Sequence, residues 1–586
     1  MQTLAAPVGS TTSALGSLSG TAAAKLTAAQ VDAIGANIGA LSISAIARLS
    51  SAALTKLDFS GMSADNKNKF ASSLTATQIS LLSDTQMGAL ASPVGDAASA
   101  MGSLSGAAAG ILTAAQVTAV GGNIAALSTS AIGQLSSAAL SQLVSSGISD
   151  TNKRKILGGL TAVQTPSLSN GQISALATPT DQGTTSTSLL SSLTAAAAAK
   201  LTAAQVEAVG MTKITALSAG AIGQLSSTAL TKMVFTSMSL DDKKKFAGSF
   251  TSTQVPSLSS AQLGDLGAAI GSLTAAAAGA LTAEQINTIG MSNITALSAS
   301  AIGQLSSAAL AKLVFSDMTD LNKQKFLGSL TAAQTPSLSD TQISALASSA
   351  VSGASLMDSL TSAAAAKLSA SQVEAIGITK IKALSAEAIG KLSTAAVSKL
   401  AFSTLSDTEK RKFLSNLTAT QAPSLSNTQI SALASPTDSG STSTSLLDSL
   451  TAAAAAKLTG AQVDAIGMSK ITALSADAIG RLSSAALSKL DFSGMSDSDK
   501  GKFVNNFTAT QIQSLSDEQF GALPVTYLDN LGSTQVKSFS DSQISSIIST
   551  KLSAMLNALS YFTANQIHAL TPGQLTALDT KINILV

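Results

Sequence analysis

The feature that most constrains this chain is a ten-residue stretch that returns along almost its whole length. It first reads LTAAQVDAIG at residues 26–35, and further copies follow at intervals of 80 to 90 residues. These copies begin at Leu112, Leu201, Leu281, Leu368 and Leu458. Internal repetition of this kind is typical of a tandem array, in which each unit contacts mainly its neighbours. The chain is therefore predicted to be one repetitive structure.

Residues 26–35 carry both a start and a stop signal for a helix. Thr27 is a favoured N-cap, and Gln30 three residues later completes a capping box. Leu26 and Val31 form the hydrophobic staple that accompanies such a box. Gly35 follows as a C-terminal stop. We therefore expect a short capped helix in each copy.

A smaller unit lies inside each long repeat. Units that begin Leu-Ser or Leu-Thr follow one another every eight residues, as from Leu74 to Leu82 to Leu90, and Thr75 with Gln78 forms another capping box. Eight residues make about 12 Å of helix, which is too short to be stable alone in water. These helices must be held by packing along an array. The predicted fold is all-α, an α-solenoid or superhelix of short capped helices in six long tandem repeats.

We divide the chain into six repeats and a divergent C-terminal cap. The repeats are 4–89, 90–175, 176–265, 266–345, 346–432 and 433–522, and the cap is 523–586. Several repeats are joined by loops rich in Ser, Thr, Gly and Pro, where we expect the array to flex. These loops are 91–99, 178–188 and 435–445.

Prolines distinguish the middle repeats from the first and the last. In repeats two to five a proline follows shortly after a capped glutamine, whereas repeats one and six carry Ser80 and Gln513 there. The prolines are Pro166, Pro256, Pro336 and Pro423. Because proline removes a helical hydrogen bond, we expect a shortened turn in the middle copies.

One unit in most repeats is charged. It reads MSADNKNKF from Met62, MSLDDKKKF from Met238, LSDTEKRKF from Leu405 and MSDSDKGKF from Met495. Acidic residues lie in the first turn and lysines later, as the helix dipole favours. We interpret this unit as a solvated face. A repeated contact with an acidic partner is the alternative.

The residue types that carry most catalysis are nearly absent. The chain has no Cys and one His, and its 34 basic and 32 acidic residues give a net charge of +2. His568 lacks a nucleophile-elbow pattern nearby, and Asp497-x-Asp499-x-Gly501 lacks the bidentate Glu of a calcium loop. We therefore predict that the protein is not an enzyme, with no catalytic, cofactor-binding or metal-binding residues, no cofactor and no small-molecule substrate.

The start of the chain lacks both a Sec-type signal and a cap. The segment MQTLAAPVGS has no basic or long apolar region, and no apolar run of about 20 residues follows that would span a membrane. Leu4 already aligns with Leu90, so the first repeat begins at once. We expect a neighbouring copy to cover the apolar surface of an uncapped end, which gives head-to-tail assembly.

The stretch LTAAQVDAIGANIGA resembles the opening of a TAL effector repeat, a bacterial DNA-reading solenoid whose repeats place two base-reading residues after this motif. The matching pairs are Asn37-Ile38, Asn123-Ile124, Lys213-Ile214, Asn293-Ile294, Lys380-Ile381 and Lys470-Ile471. The resemblance covers about 15 residues of each repeat, the family's repeat is far shorter, and a net charge of +2 supplies no basic stripe for phosphates. We therefore do not expect nucleic-acid binding, and we keep a DNA-binding solenoid only as an alternative.

The chain also resembles the large repetitive proteins of proteobacteria that carry tandem LTxxQIxAL units. Residues 74–90 (LTATQISLLSDTQMGAL) and 562–578 (FTANQIHALTPGQLTAL) carry the pattern. The resemblance implies a structural role at the cell surface or outside the cell. We expect a self-assembling filament, sheath or layer whose partners are itself and the cell envelope. A monomeric binding scaffold, such as an adhesin, and a cytoplasmic location are the alternatives.

Overall fold

The computed structural model describes residues 13–181, 188–349, 352, 354–439 and 443–585. The regular elements in these residues are α-helices and 3-10 helices, and the only strand-like pairing among them is an isolated bridge between Ser348 and Ser355. The chain divides into two compact units, Met1–Leu305 and Ser306–Val586. The all-α prediction is confirmed, and the helices pack in a repeating pattern consistent with a solenoid.

In the described residues, each long repeat contains nine short helical elements, which we group in chain order into three layers of three. In the second repeat, elements of the first layer pack on the elements at the same position of the second layer. In the second repeat these pairs are Ala100–Ser103 with Gly121–Ala126, Gly106–Ala109 with Thr129–Ile132, and Ala114–Val120 with Ser137–Leu140. Within each unit, every layer therefore buries its apolar face against the layers before and after it.

The first layer of each repeat contains a 3-10 helix, an alanine-rich helix and the helix of the LTAAQ motif. The 3-10 helices are Ala14–Ser17, Ala100–Ser103, Leu190–Ser192, Gly267–Ser272, Met357–Ser359 and Leu447–Ser449. The alanine-rich helices are Gly20–Ala23, Gly106–Ala109, Ala195–Ala198, Ala275–Gly279, Ser362–Ala365 and Ala452–Ala455. The LTAAQ helices are Ala28–Ile34, Ala114–Val120, Ala203–Val209, Ala283–Ile289, Ala370–Ile376 and Gly460–Ile466.

The second layer begins at a glycine with positive φ, such as Gly210 at 82°. Its first elements are the 3-10 helices Gly35–Ala40 and Gly121–Ala126, then the α-helices Met211–Ile214, Met291–Ile294, Ile378–Ile381 and Met468–Ile471. Its second elements are Ile43–Ile46, Thr129–Ile132, Ala219–Ile222, Ala299–Ile302, Ala386–Lys391 and Ala476–Ile479. Its third elements are Ser51–Leu54, Ser137–Leu140, Ser227–Leu230, Ser307–Leu310, Thr394–Val397 and Ser484–Leu487.

The third layer opens with the charged helix and closes with a second capped helix. The charged helices are Ala64–Ser73, Asp150–Gly159, Leu240–Ser249, Asp320–Ser329, Asp407–Leu414 and Asp497–Asn506. The middle elements are Ala76–Ile79, Thr165–Ser167, Val255–Ser257, Thr335–Ser337, Ala422–Ser424 and Ala509–Gln513. The closing helices are Asp84–Ala91, Asn170–Ala177, Ser260–Leu266, Asp340–Ala347, Asn427–Ala434 and Asp517–Gly521.

The predicted shortening at the prolines is confirmed by the middle elements. All four proline-containing copies form three-residue 3-10 helices, whereas Ala76–Ile79 and Ala509–Gln513 are α-helices. The Ser80 backbone N–H donates to the Ala76 carbonyl at 3.2 Å, and this is the bond that a proline at this position cannot make.

The C-terminal segment continues the helical pattern after the repeats lose their sequence similarity. Its helices are Val525–Leu528, Ser533–Val536, Asp541–Ser546, Ser549–Leu552, Leu556–Leu559, Ala564–His568 and Pro572–Leu585. Tyr527 packs over Gly501, where a Cβ atom would lie 2.2 Å from the tyrosine ring. The loss of a side chain at Gly501 thus makes room for this segment on the sixth charged helix.

The core of the described residues consists mainly of Leu, Ile, Val and Ala. In the alanine-rich helix Ala195–Ala198, both Ala197 and Ala198 are fully buried. Five repeats add phenylalanines with edge-to-face rings, such as Phe235 and Phe246 with centroids 6.0 Å apart, and repeats three and six have three such rings each. Such pairs contribute about 0.5–1.5 kcal/mol beyond burial and fasten the charged helix to the turn before it.

Candidate functional site

The capped glutamines connect one layer to the next. The Gln164 side-chain oxygen accepts the Thr161 backbone N–H at 2.9 Å, which completes the capping box of its own turn. Its Nε2 group donates to the Ile132 carbonyl at 2.8 Å and to the Leu135 carbonyl at 2.7 Å, both at the end of a helix in the layer before. One side chain thus satisfies an N–H at one helix start and donates to two carbonyls at another helix end. The Ile132 carbonyl also accepts the Leu135 backbone N–H at 3.1 Å.

We call this arrangement the glutamine staple. Its amide donates to two carbonyls that lie 27 to 40 residues earlier in the chain. The described residues that form it are Gln78, Gln86, Gln116, Gln164, Gln172, Gln205, Gln254, Gln262, Gln285, Gln342, Gln372, Gln421, Gln429, Gln462, Gln511, Gln519, Gln543, Gln566 and Gln574. In each unit, the same contact from a glutamine side chain to backbone carbonyls therefore recurs from layer to layer.

The interpretation of the charged helix as a solvated face is wrong for its first lysine in four repeats. Lys67, Lys153, Lys323 and Lys410 are buried. Each donates from Nζ to a carbonyl just after the junction with the next repeat, as Lys410 does to the Ser435 carbonyl at 2.7 Å. Burial lowers the pKa of Lys67 and of Lys410. These lysines hold the chain at the repeat junction and do not face a partner.

The second lysine of the charged helix reaches back to the preceding layer. Lys412 donates to the Lys382 carbonyl at 3.0 Å, and Lys502 donates to the Thr472 carbonyl at 2.8 Å. Burial is also the main cause that lowers the pKa of Lys412. In the fifth repeat, the charged helix is thus fixed to both the layer before it and the junction after it.

Two junction loops are held by paired aspartates. The Thr180 backbone N–H donates to an Asp150 carboxylate oxygen at 2.7 Å, and the Asp150 N–H donates to Asp181 at 2.9 Å. The fifth repeat has the same contacts between Asp407 and the segment Thr437-Asp438. The predicted flexible loops are therefore anchored where they begin, and residues 182–187 and 440–442 of these loops lie outside the described residues.

The residues considered for chemistry are not assembled into a reactive group. His568 is exposed beside Asp541 and Ser542 in an open depression of about 500 Å³, and within the described chain no hydrogen bond joins them. Asp499 accepts the Ser496 hydroxyl at 2.6 Å and so belongs to a helix cap. The structure brings together no group of three or more metal-ligand side chains in the residues it describes.

Two open grooves lie at equivalent positions of repeats four and six. One, of about 710 Å³, is lined by Lys312, Val314 and Ser339, and the other, of about 310 Å³, by Lys489 and Asp491 among others. The staples of Gln342 and Gln519 line them as well. No local sequence motif marks these grooves, because each groove is lined by two segments that are well separated in the chain.

The pairs that resemble base-reading residues do not present both members to solvent. The isoleucine of every pair is buried in the core. These residues are Ile38, Ile124, Ile214, Ile294, Ile381 and Ile471. A base edge could not reach them without opening the layer, so this part of the resemblance reflects helix packing.

Comparison with protein-family models and with curated proteins gave no match. Among the helices of the described residues, none has the length and apolar character needed to cross a bilayer.

Proposed function

We propose that this chain is a non-enzymatic structural repeat protein that assembles head to tail into a filament, sheath or layer at the bacterial surface or outside the cell. The observation that carries the proposal is the glutamine staple. Its acceptors are backbone carbonyls, so the interface depends little on which side chains a layer carries. A contact that forms many times between layers of one chain is also available between chains. Such contacts are heterologous, and when they do not close they produce filaments.

The first test is sedimentation of the purified chain over a wide concentration range. We expect the mean sedimentation coefficient to rise continuously with concentration, as it does for an open polymer. A single species with the mass of one chain at every concentration contradicts assembly.

Gln30 provides a variant that separates assembly from folding. Its side-chain oxygen accepts the Thr27 N–H at 2.9 Å, but its Nε2 group donates to no carbonyl of the described residues. Gln30→Glu keeps the capping acceptor and removes the amide donor. We expect this variant to assemble less while its thermal unfolding stays unchanged, and unchanged polymers would show that this staple is not the contact between copies.

The second candidate is a monomeric scaffold that binds a partner along one face. The equivalent grooves of repeats four and six favour it, because a repeated groove can bind a repeated ligand. It predicts a single species in sedimentation together with saturable binding to isolated cell envelopes. A DNA-binding solenoid predicts instead that affinity falls steeply as salt rises.

The proposed location is the cell surface or the extracellular space, with the cell envelope as a partner and the cytoplasm as the alternative. Immunogold labelling of intact cells tests it. Label on unpermeabilised cells or on shed fibres supports the proposal, whereas label that appears only after permeabilisation supports the cytoplasmic alternative.

A further inference from the structure

Three methionines stand apart from the others in their exposure. The chain has 13 methionines, and nine of the described ones are buried. Met211, Met291 and Met468 are partly exposed. Each directly follows the positive-φ glycine that opens the second layer of its repeat. Repeat position thus decides which methionine residues are partly exposed.

Two of these sulfurs also contact a backbone donor in the turn before the charged helix. The Val234 N–H donates to the Met211 Sδ atom at 3.3 Å, and the Asp491 N–H donates to the Met468 Sδ atom at 3.3 Å. Thioether sulfur is a weak acceptor and has two lone pairs. When one lone pair faces the N–H, the other remains for reaction with a small oxidant.

We propose that Met211 and Met468 are sites of reversible oxidation by a hydroperoxide. The sulfur attacks the terminal peroxide oxygen, the O–O bond breaks, and an S–O bond forms, while water or an alcohol leaves. Sulfur loses two electrons and the peroxide gains them. The product is methionine sulfoxide, which thiol-dependent reductases return to methionine.

The surroundings of both sites suit the oxidised side chain. Sulfoxide formation disrupts a core because it places a polar oxygen among apolar groups. At Met211 and Met468 the new oxygen forms on a partly exposed side chain, on the sulfur lone pair that does not face the N–H. Met233 precedes Val234 directly but is 2% exposed, so its oxidation requires the layer to open.

The fifth repeat supplies the control variants. Ile378 occupies the position of Met211 and Met468, in a helix of the same length that begins after Gly377. Met211→Ile and Met468→Ile therefore exchange the thioether for a side chain that the fold already uses at this place. Each variant removes one oxidation site without a new demand on packing.

The experiment is treatment of the full chain with dilute hydrogen peroxide, followed by peptide mass spectrometry over time. We expect Met211, Met291 and Met468 to gain one oxygen at least about tenfold faster than the nine buried methionines, because buried sulfurs react only through opening. Each isoleucine variant should lose its own fast site and leave the other rates unchanged. Equal rates at exposed and buried methionines would overturn the proposal.

Amide hydrogen exchange of the oxidised protein tests whether the fold stays intact with methionine sulfoxide at Met211 and Met468. We expect the Val234 and Asp491 amides to keep or increase their protection, and methionine sulfoxide reductase to restore the original mass. Loss of protection at these two amides, or loss of helical circular dichroism in step with oxidation at Met211 and Met468, would overturn the proposal.

Discussion

At the scale of single residues, the glutamine staple makes a sharp prediction about charge. Gln164→Glu keeps the oxygen that accepts the Thr161 N–H but replaces the Nε2 donor by an oxygen that faces the Ile132 and Leu135 carbonyls. We expect a loss of about 3 kcal/mol in the free energy of unfolding, because two buried hydrogen bonds are lost and the introduced oxygen faces two carbonyl oxygens. Urea unfolding measures it, with Gln30→Glu as the matched control that should lose little.

The pH dependence of Gln164→Glu follows from the repulsion between the introduced carboxylate and the two carbonyl oxygens. Burial against two carbonyls raises the pKa of the introduced carboxyl above its unfolded value of about 4.3. The protonated form is therefore favoured in the folded state, so the deficit relative to the parent chain is smallest below pH of about 4. It grows as pH rises through the folded pKa. If the difference in free energy of unfolding between variant and parent is the same at about pH 3 and about pH 8, measured at one ionic strength, this account is contradicted.

Gly501 makes a prediction about the C-terminal segment. Gly501→Asn introduces the residue that the first repeat has at this position, Asn68, and its Cβ atom would lie 2.2 Å from the Tyr527 ring. We expect the tyrosine to leave its place at a cost of about 1–3 kcal/mol. Hydrogen exchange in Val525–Leu528 should accelerate, and Tyr527→Ala in the same chain should remove the additional cost of the asparagine. Unchanged exchange would show that the segment does not rest on Gly501.

At the scale of elements, the proline swap tests how tightly the layers constrain a short helix. Ser80→Pro removes the bond from the Ser80 N–H to the Ala76 carbonyl. Proline inside a helix usually costs about 3 kcal/mol, but four repeats already carry one here as a 3-10 helix. We expect Ser80→Pro to lower the free energy of unfolding by less than about 1 kcal/mol. A loss near the usual value would mean that Ala76–Ile79 must stay α-helical.

The buried lysine predicts a local effect at one repeat junction. Lys410→Met keeps the apolar stem but removes the donor to the Ser435 carbonyl. We expect faster hydrogen exchange at the Leu446 N–H, which donates to Ala434 beside this loop. Lys244→Met, at an exposed lysine, is the control and should change nothing. Faster exchange in both variants would point to a general effect of charge.

Lys410 also predicts the direction of a pH effect. Because burial lowers its pKa, the unfolded chain binds more protons than the folded chain between the folded pKa and the unfolded value of about 10.4. The stability difference between the parent chain and Lys410→Met should therefore shift in favour of the parent as pH rises through this window. Urea unfolding at several alkaline pH values measures it, and a shift in favour of the variant would contradict the burial argument.

At the scale of the whole molecule, the sequence predicts the local elements and the long period but not the layers. A capping box is complete within four residues, so Thr27 and Gln30 reveal it by themselves. The acceptors of the staple are backbone carbonyls 27 to 40 residues away, and no side-chain type marks a carbonyl. The sequence repeats every eight residues and again every 80 to 90 residues. A layer of three helices is longer than the first repeat and shorter than the second, so neither repeat reveals it.

The prediction that the charged helix forms a solvated face is wrong for a similar reason. The dipole argument places lysines late in the helix, and that placement is correct. It does not distinguish a lysine that faces water from one that binds a carbonyl, because both keep the same helical register. Lys67 and Lys410 are buried since the junction after the helix folds back over them. Only the path of the chain beyond the helix reveals this.

The measurement that tests the central claim most directly is electron microscopy of the purified chain and of Gln30→Glu over the same concentration series. The account predicts that the parent chain forms regular fibres or sheets, that they lengthen with concentration, and that Gln30→Glu gives shorter or no assemblies. Separate single particles of the parent chain at every concentration would contradict it, and the chain would then be tested as a monomeric scaffold.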